Sequence, residues 1–523
     1  MTAHADRATF VVSTSERAKL LRHAVTSPGA ATHTVFAPFS GEPIVDLPLS
    51  QDADVASAFS MAAHAQRAWA ERSVRDRARI MLRFHDLVLE QQSDGLDIAQ
   101  LETGKARRDA FEELADIALN ARFYARSAPG ALGDKRRLGL FPGLTSVREV
   151  RHPKGVVGVI SPWNYPLTLA ASDAIPALMA GNAVVLKPDL QTTLTALWVV
   201  DLLREAGLPD GVMSVIIGDG ATIGPAVVGR SDYVMFTGST RVGREIAQRC
   251  GERLIGCSLE LGGKNAMIVR ADVDVEKSTE IAIRACFANS GQLCIAMERI
   301  YVHAEVADAF IARFVERAAA LKMRSGIGWG TDMGSLISDK QLDRVQAHVD
   351  DAVAKGADVL FGGRARPDVG PYFFEPTILT KVDDSMELCS EETFGPVVSV
   401  YVVASDDEAV RLANLTTYGL NAAVLTSDVG AGEAIARRLK AGTVNVNEGY
   451  GAAWGSTSAP MGGMGDSGLG RRHGLEGLLK YTEPQTVATQ RLMGIGGPPG
   501  RTDEQWAAML TVAVRVLKRL GVR

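Results

Sequence analysis

Four short β-rich runs, each separated from the next by a helical stretch, constrain this chain more than any other feature. They are Val156-Val157-Gly158-Val159-Ile160, Ala183-Val184-Val185-Leu186, Val212-Met213-Ser214-Val215-Ile216-Ile217 and Asp232-Tyr233-Val234-Met235-Phe236. Alternation of this kind reads as βαβ units and a parallel sheet. Such sheets take ligands beyond the carboxyl ends of their strands, in the loops that follow. A polar or glycine-bearing loop follows each run, so a nucleotide site is expected there. Helices lead the chain. Residues 55–70 put Val55, Phe59, Ala62, Ala63 and Trp69 on one side, and residues 74–91 repeat the spacing with Ile80, Phe84, Leu87 and Val88. A second alternating stretch starts near Ala266 and takes in the runs 299–302, 396–401 and 443–446 and a helix over about 306–321. A domain boundary is expected near residue 267.

At 523 residues the chain exceeds what one hydrophobic core usually serves, so two or more domains are expected. An apolar share of 46% with 22% charged residues argues against disorder over most of the length. The net charge of −5 comes with no lysine–arginine block, so no nucleic-acid partner is expected. Five cysteines, an odd number in so long a chain, form no disulfide framework and fit a reducing, cytoplasmic setting. The nine histidines stand singly, without HxH, HExxH or CxxC patterns, so no metal site is expected. The first ten residues lack the apolar core of a secretory signal. No run nears the roughly eighteen apolar residues a membrane span needs.

The chemistry centres on two segments. Cys294 closes Gly291-Gln292-Leu293-Cys294, and Glu260 opens Glu260-Leu261-Gly262-Gly263-Lys264. A thiol can add to a carbonyl carbon, and a carboxylate can then activate the water that releases the product. A free thiol has a pKa of about 8.5, so Cys294 is a minor thiolate at neutral pH unless its surroundings help. Cys250, Cys257, Cys286 and Cys389 read as small buried hydrophobes. Gly238 and Ser239 follow the fourth run and open a helix whose backbone N–H groups can hold a phosphate.

With Pro162-Trp163-Asn164-Tyr165-Pro166, Lys187-Pro188, Phe236-Thr237-Gly238-Ser239, Glu392-Thr393-Phe394-Gly395-Pro396 and the run 460–471 in this order around those segments, the chain resembles the aldehyde dehydrogenase superfamily. It is most similar to bacterial NADP-type succinate-semialdehyde dehydrogenases, as in Glu448-Gly449-Tyr450, Ala452-Ala453-Trp454-Gly455-Ser456 and the stretch 459–465. The resemblance implies an α/β fold with two parallel-sheet α/β domains and a small oligomerisation element. The nucleotide-binding domain would span 15–133 and 154–266, and the catalytic domain 267–478. Residues 134–153 and 479–500 would form the element through which the chain becomes a homodimer or homotetramer.

By the same resemblance, the Cys294 thiolate adds to an aldehyde to give a thiohemiacetal, which loses hydride to nicotinamide and leaves a thioester. Asn164 and the Cys294 N–H would stabilise the oxyanion, and Glu260 would activate the hydrolytic water. Relatives that transfer the acyl group to coenzyme A usually lack this glutamate, so a free acid is the expected product. Glu392 matches the residue that holds the nicotinamide ribose, and Trp163, Lys187 and Leu261 match further cofactor contacts.

Two positions depart from the family pattern. Lys187-Pro188-Asp189-Leu190 carries leucine where NAD-preferring relatives have a ribose-binding glutamate. NADP is therefore the expected cofactor, with NAD still open if Asp189 turns toward the ribose. Ser172 and Ala288 stand where succinate-semialdehyde enzymes carry carboxylate-binding arginines. Burying a carboxylate without a cationic partner is costly. Either another arginine enters from elsewhere or the aldehyde is an uncharged aliphatic or aromatic one, for which Tyr450, Trp454 and Met461 would supply apolar walls. The tail, residues 501–523, reads as a helix capped by Asp503, with Trp506, Met509, Leu510, Ala513, Val514 and Leu517 as its stripe and Lys518, Arg519 and Arg523 at its end. Docking on this chain or a neighbouring subunit is the first reading of that helix; a membrane-surface helix is the alternative.

Overall fold

The computed structural model describes residues 13–141, 144–491 and 494–521. The reading of the first ten residues, and Arg523, lie outside them. The four expected runs form the strands Val156–Ile160, Ala183–Lys187, Met213–Val215 and Tyr233–Thr237. A fifth parallel strand, Gly256–Glu260, and a short antiparallel edge, Gly468–Leu469, complete a six-stranded sheet. Across the sheet the parallel strands lie third, second, first, fourth, fifth. The order therefore reverses between Val156–Ile160 and Tyr233–Thr237, where loops leave in opposite directions and open a crevice. The loop after Ile160 carries Pro162 to Asn164, and the loop after Thr237 carries Gly238 and Ser239.

The leading helices run Asp52–Glu71 and Val74–Glu90. Val55, Phe59, Ala62 and Trp69 are buried as expected, and so are Ile80, Phe84, Leu87 and Val88. Ala63 is exposed and Ala58 is buried instead. At 100° per residue Ala63 lies about 90° from the middle of the buried stripe, whereas Ala58 extends it.

Only Leu261 to Lys264 separate Gly256–Glu260 from Asn265–Val269, the first strand of a second sheet. The change of sheet thus falls in the glycine-bearing connection just before residue 267. The second sheet has seven strands in the order Asp358–Phe361, Thr377–Thr380, Val397–Val403, Met297–His303, Asn265–Val269, Asn421–Leu425 and Thr443–Val446. It is parallel except at the Asp358–Phe361 edge. The helix Ala307–Ala319 packs on it through Phe310 and Phe314. The Gly468–Leu469 strand crosses back to the first sheet, where it pairs with Leu259 and Glu260.

A separate antiparallel sheet joins Lys135–Arg137, Thr145–Pro153 and Thr482–Gln490. The C-terminal helix, Asp503–Arg519, is capped by Thr502 and not by Asp503: the Thr502 hydroxyl accepts from Gln505 N and Gln505 reaches back to Thr502 N. Of its apolar stripe Trp506 alone is buried; its indole N–H donates to Ile495 O at 2.7 Å and its ring meets Phe141. Met509 and Val514 are exposed. Among the described residues no helix is long and apolar enough to cross a membrane.

Candidate active site

An open cavity of about 430 Å³ lies at the strand-order switch. Trp163, Asn164, Gly238, Ser239, Glu260, Leu261, Cys294 and Glu392 all line it. They come from five separate segments, so this convergence is a product of the tertiary fold.

Cys294 sits in the loop between Ala288–Gly291 and the strand Met297–His303. Asn289, Ser290 and Gly291 are consecutively left-handed, with φ of 50°, 56° and 70°. A Cβ at Gly291 would fall 2.0 Å from Gly395 O, so only glycine allows the loop to pass there. The loop is tied on every side. The Gln292 amide donates to Asn289 O and Ser335 O while its oxygen accepts from Ile337 N, and Asn265 Nδ2 donates to Cys294 O at 2.7 Å. Burial pushes the Cys294 thiol up to about 12, Arg472 pulls it down, and Glu392 and Glu260 add to the rise.

Glu260 ends its strand facing that cavity, 4% exposed, and its Oε1 has no hydrogen-bond partner among the described residues. Burial raises its carboxyl to about 7, against the pull of Arg472 and Lys480. A buried carboxylate with an open lone pair and a pKa near neutrality suits a general base. Asn164 is buried and its Nδ2 donates to Gln292 O at 3.2 Å, which links it to the thiol loop.

On the nucleotide side, the Ser239 hydroxyl caps the helix Thr240–Glu252. Gly243 admits the Leu261 side chain, which lies 2.5 Å from where a Cβ would be. Glu392 accepts from Gly263 N at 2.9 Å, and a Cβ on Gly262 would collide with its carboxylate. The carboxyl group of Glu392 is raised to about 8 by burial and then by Glu298. Trp163 packs edge-on against Phe394. Lys187, Pro188, Asp189 and Leu190 lie off this lining, at the end of the Ala183–Lys187 strand. Burial lowers the Lys187 ammonium, and Asp189 and Asp219 oppose that. Asp189 does not turn outward: its Oδ1 accepts from Gln191 N at 3.0 Å and caps the short helix that begins at Leu190. The helix start at Ser239, the glycines that admit a close neighbour and the buried carboxylate of Glu392 fit a dinucleotide.

Cys294 also borders an apolar cluster of Tyr165, Leu169, Ala288, Tyr450, Trp454 and Met461. Ser172 is spent on Asp116, donating at 2.7 Å. One candidate substitute for the missing arginines is Arg284, one helical turn before Ala288. It is held by Asp109 at 2.6 Å and by Glu112, and Glu112 in turn accepts from the Tyr450 hydroxyl at 3.1 Å.

Several site residues escaped the sequence reading. Lys340, Gln341 and Arg344 line the cavity from the helix Asp339–Ala354 and the residues around it. Arg472 is buried, donating to Asp173 at 2.9 Å and to the Thr237 hydroxyl at 3.1 Å beside Glu260. Its signal was present, as an arginine directly after the glycine-rich run 460–471, but nothing local says that it turns inward.

The model of the aldehyde dehydrogenase family matches residues 25–487. A Mycolicibacterium smegmatis protein bearing the name "Putative succinate-semialdehyde dehydrogenase (NADP+)" is 54% identical over 485 residues, covering 93% of this chain and 94% of its own. A Mycobacterium ulcerans protein of the same name, numbered 2, is 52% identical over 492 residues, 94% of this chain and 95% of its own. Among solved structures, betaine aldehyde dehydrogenase from Staphylococcus aureus with NAD+ superposes with a TM-score of 0.86 at 32% identity, covering 91% of this chain and 97% of that one. An Escherichia coli NADP-dependent enzyme gives 0.86 at 31%, covering 91% and 99%.

Proposed function

The chain belongs to the aldehyde dehydrogenase family, and from that premise we propose that it oxidises succinate semialdehyde to succinate with NADP. The observation that carries the chemistry is the meeting of Cys294, Glu260 and Asn164 on one cavity at the strand-order switch. The Cys294 thiol gives its proton to a water molecule in the cavity, Sγ bonds to the aldehyde carbon, and the carbonyl π pair moves to oxygen. The Asn164 amide and the Cys294 N–H receive that charge. NADP, held by the lining that includes Ser239, Leu261 and Glu392, would supply the hydride acceptor when bound. Loss of hydride leaves an acyl thioester on Cys294. Glu260 then takes a proton from water, the hydroxide adds to the thioester carbon, and the C–S bond breaks to release the acid and the thiolate.

Cofactor choice rests on the Lys187–Leu190 corner. Leu190 presents no carboxylate to repel a 2′-phosphate, Asp189 is engaged in its cap, and Lys187 supplies a cation. The names of the mycobacterial relatives agree with this reading. NAD would serve as a weaker substitute. The reading also includes a cytoplasmic homodimer or homotetramer joined through the sheet of Lys135–Arg137, Thr145–Pro153 and Thr482–Gln490.

A second substrate reading, an uncharged aldehyde, is favoured by one observation: Arg284 is already neutralised by Asp109 and Glu112, and the rest of the wall is apolar. The two are separated by initial rates of NADPH and NADH formation with succinate semialdehyde, an aliphatic aldehyde and an aromatic aldehyde. A dominant kcat/KM for succinate semialdehyde with NADP supports the proposal. A dominant value for either uncharged aldehyde replaces its substrate and leaves the chemistry standing.

A further inference from the structure

The Asn164 side chain acts only if its peptide is held still, and that peptide lies in an irregular turn, Trp163 to Tyr165, just before the short helix Pro166–Ala171. Two charged side chains with no solvent exposure grip the turn from behind: Lys105 and Glu113. Lys105 follows the left-handed Gly104, between the helices Gln92–Thr103 and Arg107–Ala131. Its ammonium contacts Glu113 Oε1, donates to Asn164 O at 2.6 Å and sits 4.2 Å from the centre of the Tyr165 ring. Two of its three donors are thereby used in hydrogen bonds, and its charge also faces the Tyr165 ring. The second Glu113 oxygen accepts from Leu167 N at 2.8 Å and Thr168 N at 3.3 Å. One ion pair thus fastens the carbonyl that enters the turn and the N–H groups that leave it. Asn289 adds a brace from the thiol loop, its Nδ2 donating to both Asn164 O and Gln292 O at 3.0 Å.

We propose that Lys105, paired with Glu113, is the positioning residue of the oxyanion donor, locking the Asn164 peptide so that its amide is aimed before substrate arrives. This rests on the reading of Asn164 as that donor. Stability is a poor reason for such a pair, because a buried ion pair contributes little more than well-packed apolar groups of the same volume. Orientation is a better one, since an apolar pair would take from Leu167 N and Thr168 N their Glu113 acceptor and leave Asn164 O held by Asn289 alone. A reacting group misplaced by about 1 Å can lose roughly 100-fold in rate.

The test compares Lys105→Met, Lys105→Met/Glu113→Gln and Asn164→Ala in the full-length enzyme. The double variant leaves no stranded carboxylate, while its amide oxygen still accepts from Leu167 N and Thr168 N. Three quantities are read: kcat with aldehyde and NADP, the Kd of NADPH by fluorescence, and the rate of Cys294 alkylation by iodoacetamide. Alkylation needs the thiol but builds no oxyanion. The expected result for both Lys105 variants is a kcat loss of about 10- to 100-fold, with Kd and alkylation within about twofold of the parent enzyme. A kcat within about twofold of the parent, or alkylation falling in step with kcat, overturns the proposal. An unaltered kcat in Asn164→Ala overturns the reading of Asn164 itself, and the positioning of it as well.

Discussion

Glu260→Gln is the sharpest perturbation of the proposed chemistry, because the environment of Glu260 sets both its size and its pH signature. Burial raises its carboxyl from 4.5 to about 7, a penalty on the ionised form of about 3 kcal/mol. A carboxylate held at that cost is a correspondingly better proton acceptor, and its Oε1 has no partner to give up. Glutamine has nearly the same shape and accepts no proton. Hydrolysis of the thioester should fall by roughly 100- to 10,000-fold, the usual worth of a positioned general base. Acylation should persist. Rapid mixing with aldehyde and NADP is then expected to give a burst of NADPH close to one per subunit, followed by a slow steady state. The pH sign follows from the working form. Glu260 acts when ionised, so the steady-state rate of the parent enzyme should fall as pH drops through about 7 and level off above it. The variant should lack that limb. Loss of the burst together with the steady state would refute the assignment, because Glu260 would then be needed for attack by the thiol and not specifically for hydrolysis.

Other outcomes can be checked separately. Leu190→Glu should lower kcat/KM for NADP by about tenfold or more through repulsion of the 2′-phosphate while that for NAD holds or rises; unchanged cofactor ratios would remove Leu190 from the specificity argument. In Arg284→Met the ratio of kcat/KM for succinate semialdehyde to that for an uncharged aldehyde should fall about tenfold or more, the worth of a hydrogen bond to a charged group. A constant ratio would show that Arg284 serves only Asp109 and Glu112. Gly291→Ala should cost about 2–4 kcal/mol in urea unfolding, since its Cβ meets Gly395 O while φ is positive; a near-neutral value would mean the thiol loop can shift.

Local patterns were legible wherever burial repeats at a fixed interval. The four apolar runs became neighbouring parallel strands, and the stripe Val55, Phe59, Ala62 and Trp69 became a buried helix face. The strand Gly256–Glu260 was not read, because Cys257, Ser258 and Glu260 break its apolar run although Ser258 and Glu260 are buried. In the tail the stripe is legible as a helix face, of which Trp506 is buried against this chain while Met509 and Val514 are exposed on the single chain.

The sequence by itself determined the parallel α/β architecture and the pairing of a thiol with a carboxylate, since strand and helix periods and short glycine-marked segments are local properties. Only the tertiary structure decided which distant charges surround them. Lys105 meets Asn164 across 59 positions, and Arg472 reaches Thr237 across 235. Such contacts are made where strand crossovers bring chain segments together, and a buried charge is tolerated only where a partner arrives to meet it. No local pattern records that arrival.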